Sequence, residues 1–465
     1  MDLLALARAA VDGARARRDD VLGVSVTPDE IRSYLARRYD FSRPVPADEL
    51  LADVDGMLAR WTEHATHPRH MGLFRPAPDP LCVAADALAA QHDPNLATWD
   101  FAPAANEIER LVLGAFADRF GLPRGEGLHH FTSGGQEANH TAVIAALTHA
   151  FPAVTDGGLR ALPGAPVFYL SAEGHHSFDK VAHATGLGRA ALQRVATDGG
   201  LRMSVDDLRQ KIAADRRAGR LPFLVVGTAG TTSAGAIDPM PELAAVAAAE
   251  GLWFHVDAAW GGAAIASPRL APTLAGIERA DSITCDAHKW LSVTVGAGMI
   301  FVRHRAPVEA AFGVETAYVP PQSRDGRVYS FMTSLQWSRR FIGLKLFVVL
   351  AALGWDGLAR RVEHQAAVAD HLRLRLRERG FAIVNDTPLP LVCFTHPRLP
   401  DFAAHAALAQ RLKLEQTAWI SATRLADTPA LRACVTSYET QPQDVDALVA
   451  AIETALARGS STPTT

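Results

Sequence analysis

The chain has 465 residues, which is more than a single hydrophobic core usually supports, so two or three lobes are expected. Hydrophobic residues make up 48% of it and charged residues 21%, which is ordinary for a globular protein. The net charge of −4, with no separate run of lysine and arginine, gives no electrostatic footprint for nucleic acid.

The first part of the chain, residues 1–85, is predicted to be a helical segment that becomes irregular where prolines cluster. Prolines occupy positions 44, 46, 68, 76, 78 and 80. The N-terminus reaches an arginine after seven residues, so it lacks the apolar run of a secretory signal peptide.

The middle of the chain, residues 86–345, is predicted to be an α/β domain with a mainly parallel sheet. Five short apolar runs are expected to be buried strands, and helical patterns at 137–150 and 240–251 lie between them. The five runs are 166–170, 222–227, 252–257, 281–286 and 298–303.

Residues 346–458 are predicted to form a smaller α+β domain, in which helical patterns predominate. Strand-like runs interrupt the helices at 381–386, 390–396 and 431–437. The most apolar stretch, 346–355, has about half the length that spans a bilayer, so no membrane segment is expected. The last residues, 459–465, are predicted to be a disordered tail.

Cysteine usage indicates a reducing compartment and no structural metal. The four cysteines lie far apart, with no CxxC pair and no histidine at zinc-finger spacing. The 18 histidines show no ligand spacing either, so a metalloenzyme has no support from the sequence. A cytoplasmic, metal-free protein is therefore expected.

Ligands of open α/β sheets bind at the carboxyl ends of the strands, and four segments place polar residues there. In the first segment, Ser133, Gly134 and Gly135 precede a helix predicted to begin near Gln136. Glycines let a backbone approach an anion, and a helix N-terminus offers unpaired N–H groups. Taken alone, an ordinary helix start is the simpler explanation.

The second segment carries two adjacent histidines, His175 and His176, at the start of a predicted helix. Adjacent residues of a helix do not converge on one ion, so a metal pair is disfavoured. A flat imidazole stacked on an aromatic cofactor is one alternative, and a helix-capping or surface histidine is the other.

The third segment ends an apolar strand with Asp257, and small residues follow it at Ala258 and Ala259. A carboxylate there is costly unless it is paired. Pairing with a ring nitrogen, with small residues against the ring face, explains both features. An aspartate that caps the next segment is a real competitor.

The fourth segment places Lys289 directly after a strand, between His288 and Trp290. The chain has only five lysines, and arginine cannot serve as an amine nucleophile, so few residues are available to form a Schiff base. A half-buried amine near cationic groups is expected to have a lowered pKa. A solvent-facing lysine is the ordinary alternative.

Together the four segments predict a site for pyridoxal 5′-phosphate (PLP). This cofactor needs a lysine for its aldehyde, an aspartate for its ring nitrogen and a cradle for its phosphate. Asp257 and Lys289 lie 32 residues apart, which leaves room for about one helix–strand crossover.

At these residues the sequence resembles the group II PLP-dependent amino-acid decarboxylases, the family of aromatic-L-amino-acid, tyrosine, histidine and glutamate decarboxylases. HVDAAWGGA (255–263) and DSITCDAHKWL (281–291) carry the resemblance most specifically. Further similar segments are HPRHMGLF (67–74), FAPAANEIERLV (101–112), TSGGQEAN (132–139), HHSFDKVAHATGLG (175–188), GTAGTTSAGAIDP (227–239) and QWSRRFIGLKLF (336–347).

The resemblance implies PLP fold type I, with a seven-stranded, mainly parallel sheet and an obligate homodimer in which residues 1–85 take part. It implies that Lys289 holds PLP as a Schiff base, that Asp257 pairs with the pyridine nitrogen and that Ala259 packs against the ring. His176 is expected to stack on the other ring face. The remaining cofactor contacts are expected from Gly134, Gly135, Gln136, Thr231 and His288.

Two departures from the family pattern bear on the chemistry. Many relatives have asparagine and proline before the His-Lys pair, where this chain has Asp286 and Ala287. In the loop 313–332, amine-forming relatives keep a tyrosine that protonates Cα, and the matching position is Ser330. Tyr329 is the expected general acid, and Tyr318 is a poorer candidate.

The expected function is decarboxylation of an aromatic or bulky apolar L-amino acid to the amine and CO2. Decarboxylation with oxidative deamination to an aldehyde is the alternative if no tyrosine reaches the site. Transamination and C–S cleavage use the same fold and stay open. A PLP-fold protein that only binds or regulates is disfavoured because Lys289, Asp257 and His176 are all present.

Overall fold

The protein is described here from a computed structural model that covers residues 22–123, 125–314 and 327–458, together with Ala5, Ala9, Asp12 and Gly13. The predicted disordered tail lies outside the described residues, and so does Tyr318.

A seven-stranded sheet forms the centre of the molecule, as predicted. Its strand order is β1-β7-β6-β5-β4-β2-β3, with β7 antiparallel to both of its neighbours and the other pairs parallel. The strands are β1 (Leu128–Thr132), β2 (Pro166–Ser171), β3 (Leu192–Val195), β4 (Leu221–Thr228), β5 (Trp253–Asp257), β6 (Ser282–Asp286) and β7 (Gly298–Val302).

Burial on both faces explains why five of these strands were visible in the sequence. Every residue of β2, β5, β6 and β7 is buried, so those strands are continuous apolar runs. The sequence analysis missed β1 and β3. The first contains two histidines, and the second has four residues with two half-buried polar ones in its centre.

Helices cover both faces of this sheet, and further helices precede its first strand in the chain. A pair of N-terminal helices, α1 and α2, contains no buried residue. The helices up to the end of the large sheet are α1 (Pro28–Arg38), α2 (Ala47–Trp61), α3 (Leu81–His92), α4 (Pro103–Arg119), α5 (Gly135–Ala150), α6 (Val154–Gly157), α7 (Ser177–Ala184), α8 (Val205–Arg217), α9 (Met240–Glu250) and α10 (Arg305–Phe312).

The connection from β5 to β6 differs from the crossover that the spacing suggested. It contains no α-helix and instead makes three short 3-10 helices, at Gly261–Ala266, Ala271–Leu274 and Ile277–Arg279. The first of these is fully buried, because its glycines and alanines let it pack directly on β6.

A long helix, α11 (Leu344–Glu378), links the large sheet to a second, four-stranded antiparallel sheet. Its backbone breaks at Gly354, where φ is 61°. The small sheet has the order β10-β11-β9-β8. Helix α12 packs on β10 and β11, and α13 packs on α11 and α12. These elements are β8 (Ala382–Ile383), β9 (Leu391–Thr395), β10 (Ser421–Leu425), β11 (Thr428–Cys434), α12 (Phe402–Leu414) and α13 (Pro442–Ala457).

The predicted divisions at residues 85/86 and 345/346 fall inside helices, the first in α3 and the second in the first turn of α11. Within the described ranges, no single helix is long and apolar enough to cross a membrane. One pair, Gly135–Ala150 with Val154–Ala161, meets that length and composition together but is bent by 118°.

Candidate active site

A cavity of about 190 Å³ lies where β4, β5 and β6 end and where α5 begins. The parallel strands bring their carboxyl ends to one edge, so side chains from distant parts of the sequence meet there. Six of the predicted site residues line this cavity: Gly135, Gln136, Asp257, Ala259, His288 and Lys289.

Lys289 lies on a turn that follows β6, and its backbone N–H donates to the Asp286 carbonyl. Its amine nitrogen is 3.0 Å from Asp286 Oδ2. Burial tends to lower the pKa of Lys289, but the carboxylates of Asp286 and Asp257 outweigh burial and raise this pKa above its ordinary value. The lowered pKa expected from the sequence is therefore wrong for the cofactor-free protein, because the prediction left out Asp286.

Asp257 is the last residue of β5 and is buried, yet both of its carboxylate oxygens have partners. Asn139 Nδ2 donates to Oδ2 over 3.1 Å, and the Ala259 backbone N–H donates to Oδ1 over 3.1 Å. Asn139 is itself held by His255, whose Nε2 lies 3.1 Å from Asn139 Oδ1. Two donors satisfy the charge, so the site holds a fixed carboxylate for a protonated ring nitrogen.

His255 and Asn139 were missed from the sequence. Burial lowers the pKa of His255 to about 3, so its ring is neutral and acts through hydrogen bonds alone. The signal for Asn139 was present, since it stands four residues after Gly135 and therefore on the same face of α5.

Of the two glycines predicted to form the phosphate cradle, Gly135 lines the cavity and has little room for a side chain, whereas Gly134 does not line the cavity and has room for a Cβ. A Cβ on Gly135 would lie 2.8 Å from Asp286 Oδ2 and 3.3 Å from Ala259 Cβ. Helix α5 begins at Gly135, so its first N–H groups have no intrahelical acceptor and its positive dipole end points into the cradle.

His288 adds a hydrogen-bond donor beside this cradle. The Ala297 backbone N–H donates to His288 Nδ1 over 3.2 Å, and burial lowers the pKa of His288. The neutral ring therefore carries its proton on Nε2. A Cβ on Gly134 would be 3.7 Å from His288 Cε1, which places the ring next to the cradle.

The structure brings His175, and not His176, to the cavity. His175 lines it, and burial lowers the pKa of this ring. The His176 side chain is 90% exposed, with Nδ1 3.3 Å from Asp179 Oδ2. The stacking role expected for His176 is corrected to His175, because the two rings diverge just before α7 and the sequence pattern does not say which one turns inward.

Thr231 is also not where it was expected. It is fully buried in a tight turn, in which the Ala236 N–H donates to its Oγ1 over 3.1 Å, and it does not line the cavity. Its neighbours Gly230 and Thr232 do line it. The hydroxyl stabilises the turn that presents those two residues.

Tyr329, the expected general acid, does not line the cavity of its own chain. Its hydroxyl donates to Asp100 Oδ2 over 2.7 Å, and this hydrogen bond raises the pKa of Tyr329. Arg327 also pairs with Asp100 at 2.8 Å and lies over the Trp99 ring. Ser330 is buried, with its hydroxyl bonded to the Leu96 carbonyl.

An aromatic pair adjoins the cavity. Phe74 stacks on the cavity-lining Trp260, with ring centroids 4.3 Å apart and 17° between planes. The guanidinium of Arg432 lies over Phe74 and donates to the Thr232 carbonyl over 2.9 Å. Arg432 Nη2 is buried without a hydrogen-bond partner among the described residues. A charged residue inside the apolar run of β11 was the signal for it.

The residues present fit a PLP molecule, group by group. Lys289 supplies an amine for the aldehyde, the satisfied carboxylate of Asp257 suits the ring nitrogen, and His175 and Ala259 offer ring contacts. The cradle at Gly135, which has little room for a Cβ, suits the phosphate. No group of histidine, cysteine, aspartate and glutamate residues in the described ranges is arranged to hold a metal ion.

Comparison with known proteins agrees with this fit. Residues 33–396 match the model of the pyridoxal-dependent decarboxylase conserved domain. Acidic amino acid decarboxylase of Mus musculus is 33% identical over 333 residues, which cover 70% of this chain and 60% of the mouse protein. Aromatic-L-amino-acid decarboxylase of Bacillus atrophaeus is 29% identical over 410 residues, which cover 85% of this chain and 83% of the bacterial protein.

Among solved structures, Oryza sativa TDC with PLP and tryptamine matches with a TM-score of 0.90 at 24% identity. The match covers 98% of this chain and 97% of the plant chain. It therefore shows a shared fold from end to end, and the fold is that of PLP-dependent decarboxylases of fold type I.

Proposed function

Because the chain belongs to the pyridoxal-dependent decarboxylase family, we propose that it converts an aromatic or bulky apolar L-amino acid to the amine and CO2. The enzyme is a PLP-dependent carboxy-lyase. The observation that carries the proposal is one cavity that combines Lys289, the satisfied carboxylate of Asp257 and the cradle at Gly135.

PLP, when bound, supplies an electron sink for the electron pair that is left when CO2 departs. Asp257 keeps the ring nitrogen protonated, because its charge is held in place by Asn139 and the Ala259 N–H. Lys289 would hold the cofactor through its amine. The first turn of α5 and His288 would bind the phosphate, and His175 would contact the ring.

Substrate preference rests on the aromatic pair next to the cavity. Trp260 and Phe74 offer a flat apolar wall, which favours a substrate with an aromatic or bulky apolar side chain. Arg432 lies over Phe74 and donates to the carbonyl of the cavity-lining Thr232, and we propose it as the cation that attracts the substrate carboxylate. An acidic amino acid is the competing substrate class, since the Arg432 guanidinium would also suit a carboxylate on the substrate side chain.

A second outcome, oxidation to the aldehyde, is favoured by the position of Tyr329. Its hydroxyl is bonded to Asp100 and does not line the cavity of Lys289. Without a tyrosine near the cavity, the chain would supply no phenol proton to the substrate Cα, which leaves reaction with oxygen as the competing outcome. The ratio of amine to aldehyde therefore reports whether a tyrosine reaches the site.

We also propose that the enzyme is a homodimer. Helices α1 and α2 bury none of their residues, and apolar side chains stand on their surface. Exposed apolar area of this kind marks a surface that another chain covers. The most exposed are Phe41 at 94%, between the two helices, and Leu51 at 69% and Leu58 at 59% on α2. The cytoplasmic location stays a prediction.

Incubation of the holoenzyme with each amino acid in turn tests the function. CO2, amine, aldehyde, ammonia and peroxide are scored together, with Lys289→Ala protein as the control for spontaneous release. We expect CO2 and amine from aromatic or bulky apolar amino acids. CO2 from acidic amino acids alone would contradict the substrate class, and no CO2 from any amino acid would contradict decarboxylation.

A further inference from the structure

Asp286 lines the proposed cofactor cavity, at a position where many relatives have an asparagine. Asp286 ends β6 and is 2% exposed, and its Oδ2 is 3.0 Å from Lys289 Nζ. Replacing an amide by a carboxylate at this distance adds a full negative charge beside the amine that binds the cofactor.

Asp286 differs from Asp257 in how its charge is satisfied. Both oxygens of Asp257 accept hydrogen bonds from groups that stay in place, the Asn139 amide and the Ala259 N–H. Asp286 Oδ1 is buried with no hydrogen-bond partner among the described residues, and Oδ2 pairs with Lys289. Among the described residues, the Lys289 amine is therefore the group that pairs with the Asp286 carboxylate.

The cradle limits where this carboxylate can move. A Cβ on Gly135 would lie 2.8 Å from Asp286 Oδ2, so the carboxylate packs directly against the first residue of α5. The backbone of Asp286 is fixed as well, because its N–H, at the end of β6, donates to the Ala259 carbonyl over 2.8 Å. Asp286 is thus held between the lysine and the phosphate cradle.

None of the other titratable groups around Lys289 supplies the negative charge that Asp286 places beside the amine. Burial lowers the pKa of both nearby histidines, so neither is a cation at neutral pH, and burial raises the pKa of the adjacent thiol, which stays neutral. Asp257 is the second carboxylate, but its oxygens are already occupied. The groups that face the amine are Asp286, Asp257, His175, Cys285 and His288.

We propose that Asp286 holds Lys289 as an ammonium ion in the cofactor-free enzyme and thereby sets the pH at which the enzyme takes up PLP. The inference rests on the proposed role of Lys289 as the cofactor lysine. Asp286 is a positioning residue in this account, because it acts on the lysine and not on the substrate.

The chemistry of attachment explains why the pH matters. Attachment forms a C=N double bond between Lys289 Nζ and the aldehyde carbon, and the aldehyde oxygen leaves as water. Attack needs the nitrogen lone pair, so the ammonium ion first loses one proton to solvent. Because the Asp286 charge opposes that loss, the free amine becomes abundant only at higher pH.

Stopped-flow absorbance of the cofactor-free enzyme mixed with PLP, from pH 6 to pH 9, tests the proposal. Asp286→Asn keeps the size of the side chain and removes its charge. We expect this variant to attach PLP about tenfold faster at pH 7, with its pH profile lowered by about one unit or more. Asp281→Asn, at the residue just before the same strand, is the matched control and should reproduce the wild-type profile.

Profiles of wild type and Asp286→Asn that superimpose would overturn the proposal. Asp286→Ser, a second neutral replacement, gives the same comparison if the asparagine variant does not fold. A wild-type enzyme that attaches no PLP to Lys289 at any pH would overturn the proposed function, and the inference with it. Attachment with equal profiles overturns the inference alone.

Discussion

At the residue scale, the site places one amine between two carboxylates with different surroundings. Asp257 accepts two hydrogen bonds from fixed donors, whereas Asp286 has the lysine and an unpartnered buried oxygen. Low local polarity makes the free-energy difference between these two surroundings large, because a buried charge without partners costs several kcal/mol. Two aspartates that look alike in the sequence therefore have different surroundings, which supports separate proposed roles, that of Asp257 toward the ring nitrogen and that of Asp286 toward Lys289.

The two adjacent histidines give a direct test at this scale. Replacing His175 by asparagine should weaken PLP binding about tenfold or less, because a ring contact contributes about 0.5–1.5 kcal/mol. The measurement is the dissociation constant of PLP from spectrophotometric titration. His176→Asn is the matched control and should bind PLP as the wild type does, since its side chain is 90% exposed.

At the element scale, helix α5 does most to assemble the cavity. Its first residue forms the cradle, and Asn139, one turn later, holds the carboxylate that ends β5. The turn that carries Lys289 is fixed from the other side, because Trp290 Nε1 donates to Gln365 of α11 over 2.6 Å. Distant elements are thus joined by buried hydrogen bonds at the site.

The start of α5 supports a prediction about Gly135. A methyl group there would meet Asp286 Oδ2 at 2.8 Å, and Asp286 is held by β6, so Gly135→Ala should weaken PLP binding by about tenfold or more. Equilibrium dialysis with PLP measures the loss. Gly199→Ala serves as the control, because nothing lies within 4 Å of its Cβ position, and equal losses in both variants would argue against the cradle.

Element prediction from the sequence succeeded where burial is complete and failed where polar residues enter a strand. The run 252–257 became β5 over Trp253–Asp257, because both faces of that strand are covered. Strand β1 was missed because His129 and His130 interrupt its apolar pattern. Arg432 of β11 was also missed, because a strand pattern does not indicate that its side chain packs on Phe74 and bonds to Thr232.

At the scale of the whole molecule, the sequence allowed the types of the site residues to be predicted, but not the directions in which their side chains point. The Lys289, Asp257 and Gly135 set follows from chemistry at strand ends, and the structure brings all three to one cavity. His175 and His176 share a sequence environment, so only the backbone path before α7 separates them. Contacts with a second chain have no sequence period of their own, and the exposed leucines of α2 became apparent only with the fold.

Those leucines predict how the assembly responds to substitution. Leu51 and Leu58 stand seven residues apart on α2, so they share one face of that helix. Replacing both by glutamate should shift the protein from dimer to monomer in analytical ultracentrifugation, because two charges would be buried without partners. Leu374→Glu, at a 53% exposed position on α11, is the control and should leave the dimer intact. A wild-type protein that sediments as a monomer would contradict the proposed homodimer.

The central claim is that Lys289 is the residue that binds PLP. Borohydride reduction of the holoenzyme, followed by peptide mass spectrometry, tests it most directly, because reduction makes the link between cofactor and lysine permanent. We predict that the label lies on Lys289 and is absent from the other four lysines, Lys180, Lys211, Lys345 and Lys413. A label on any of those four, or a Lys289→Ala enzyme that turns over normally, would contradict the account.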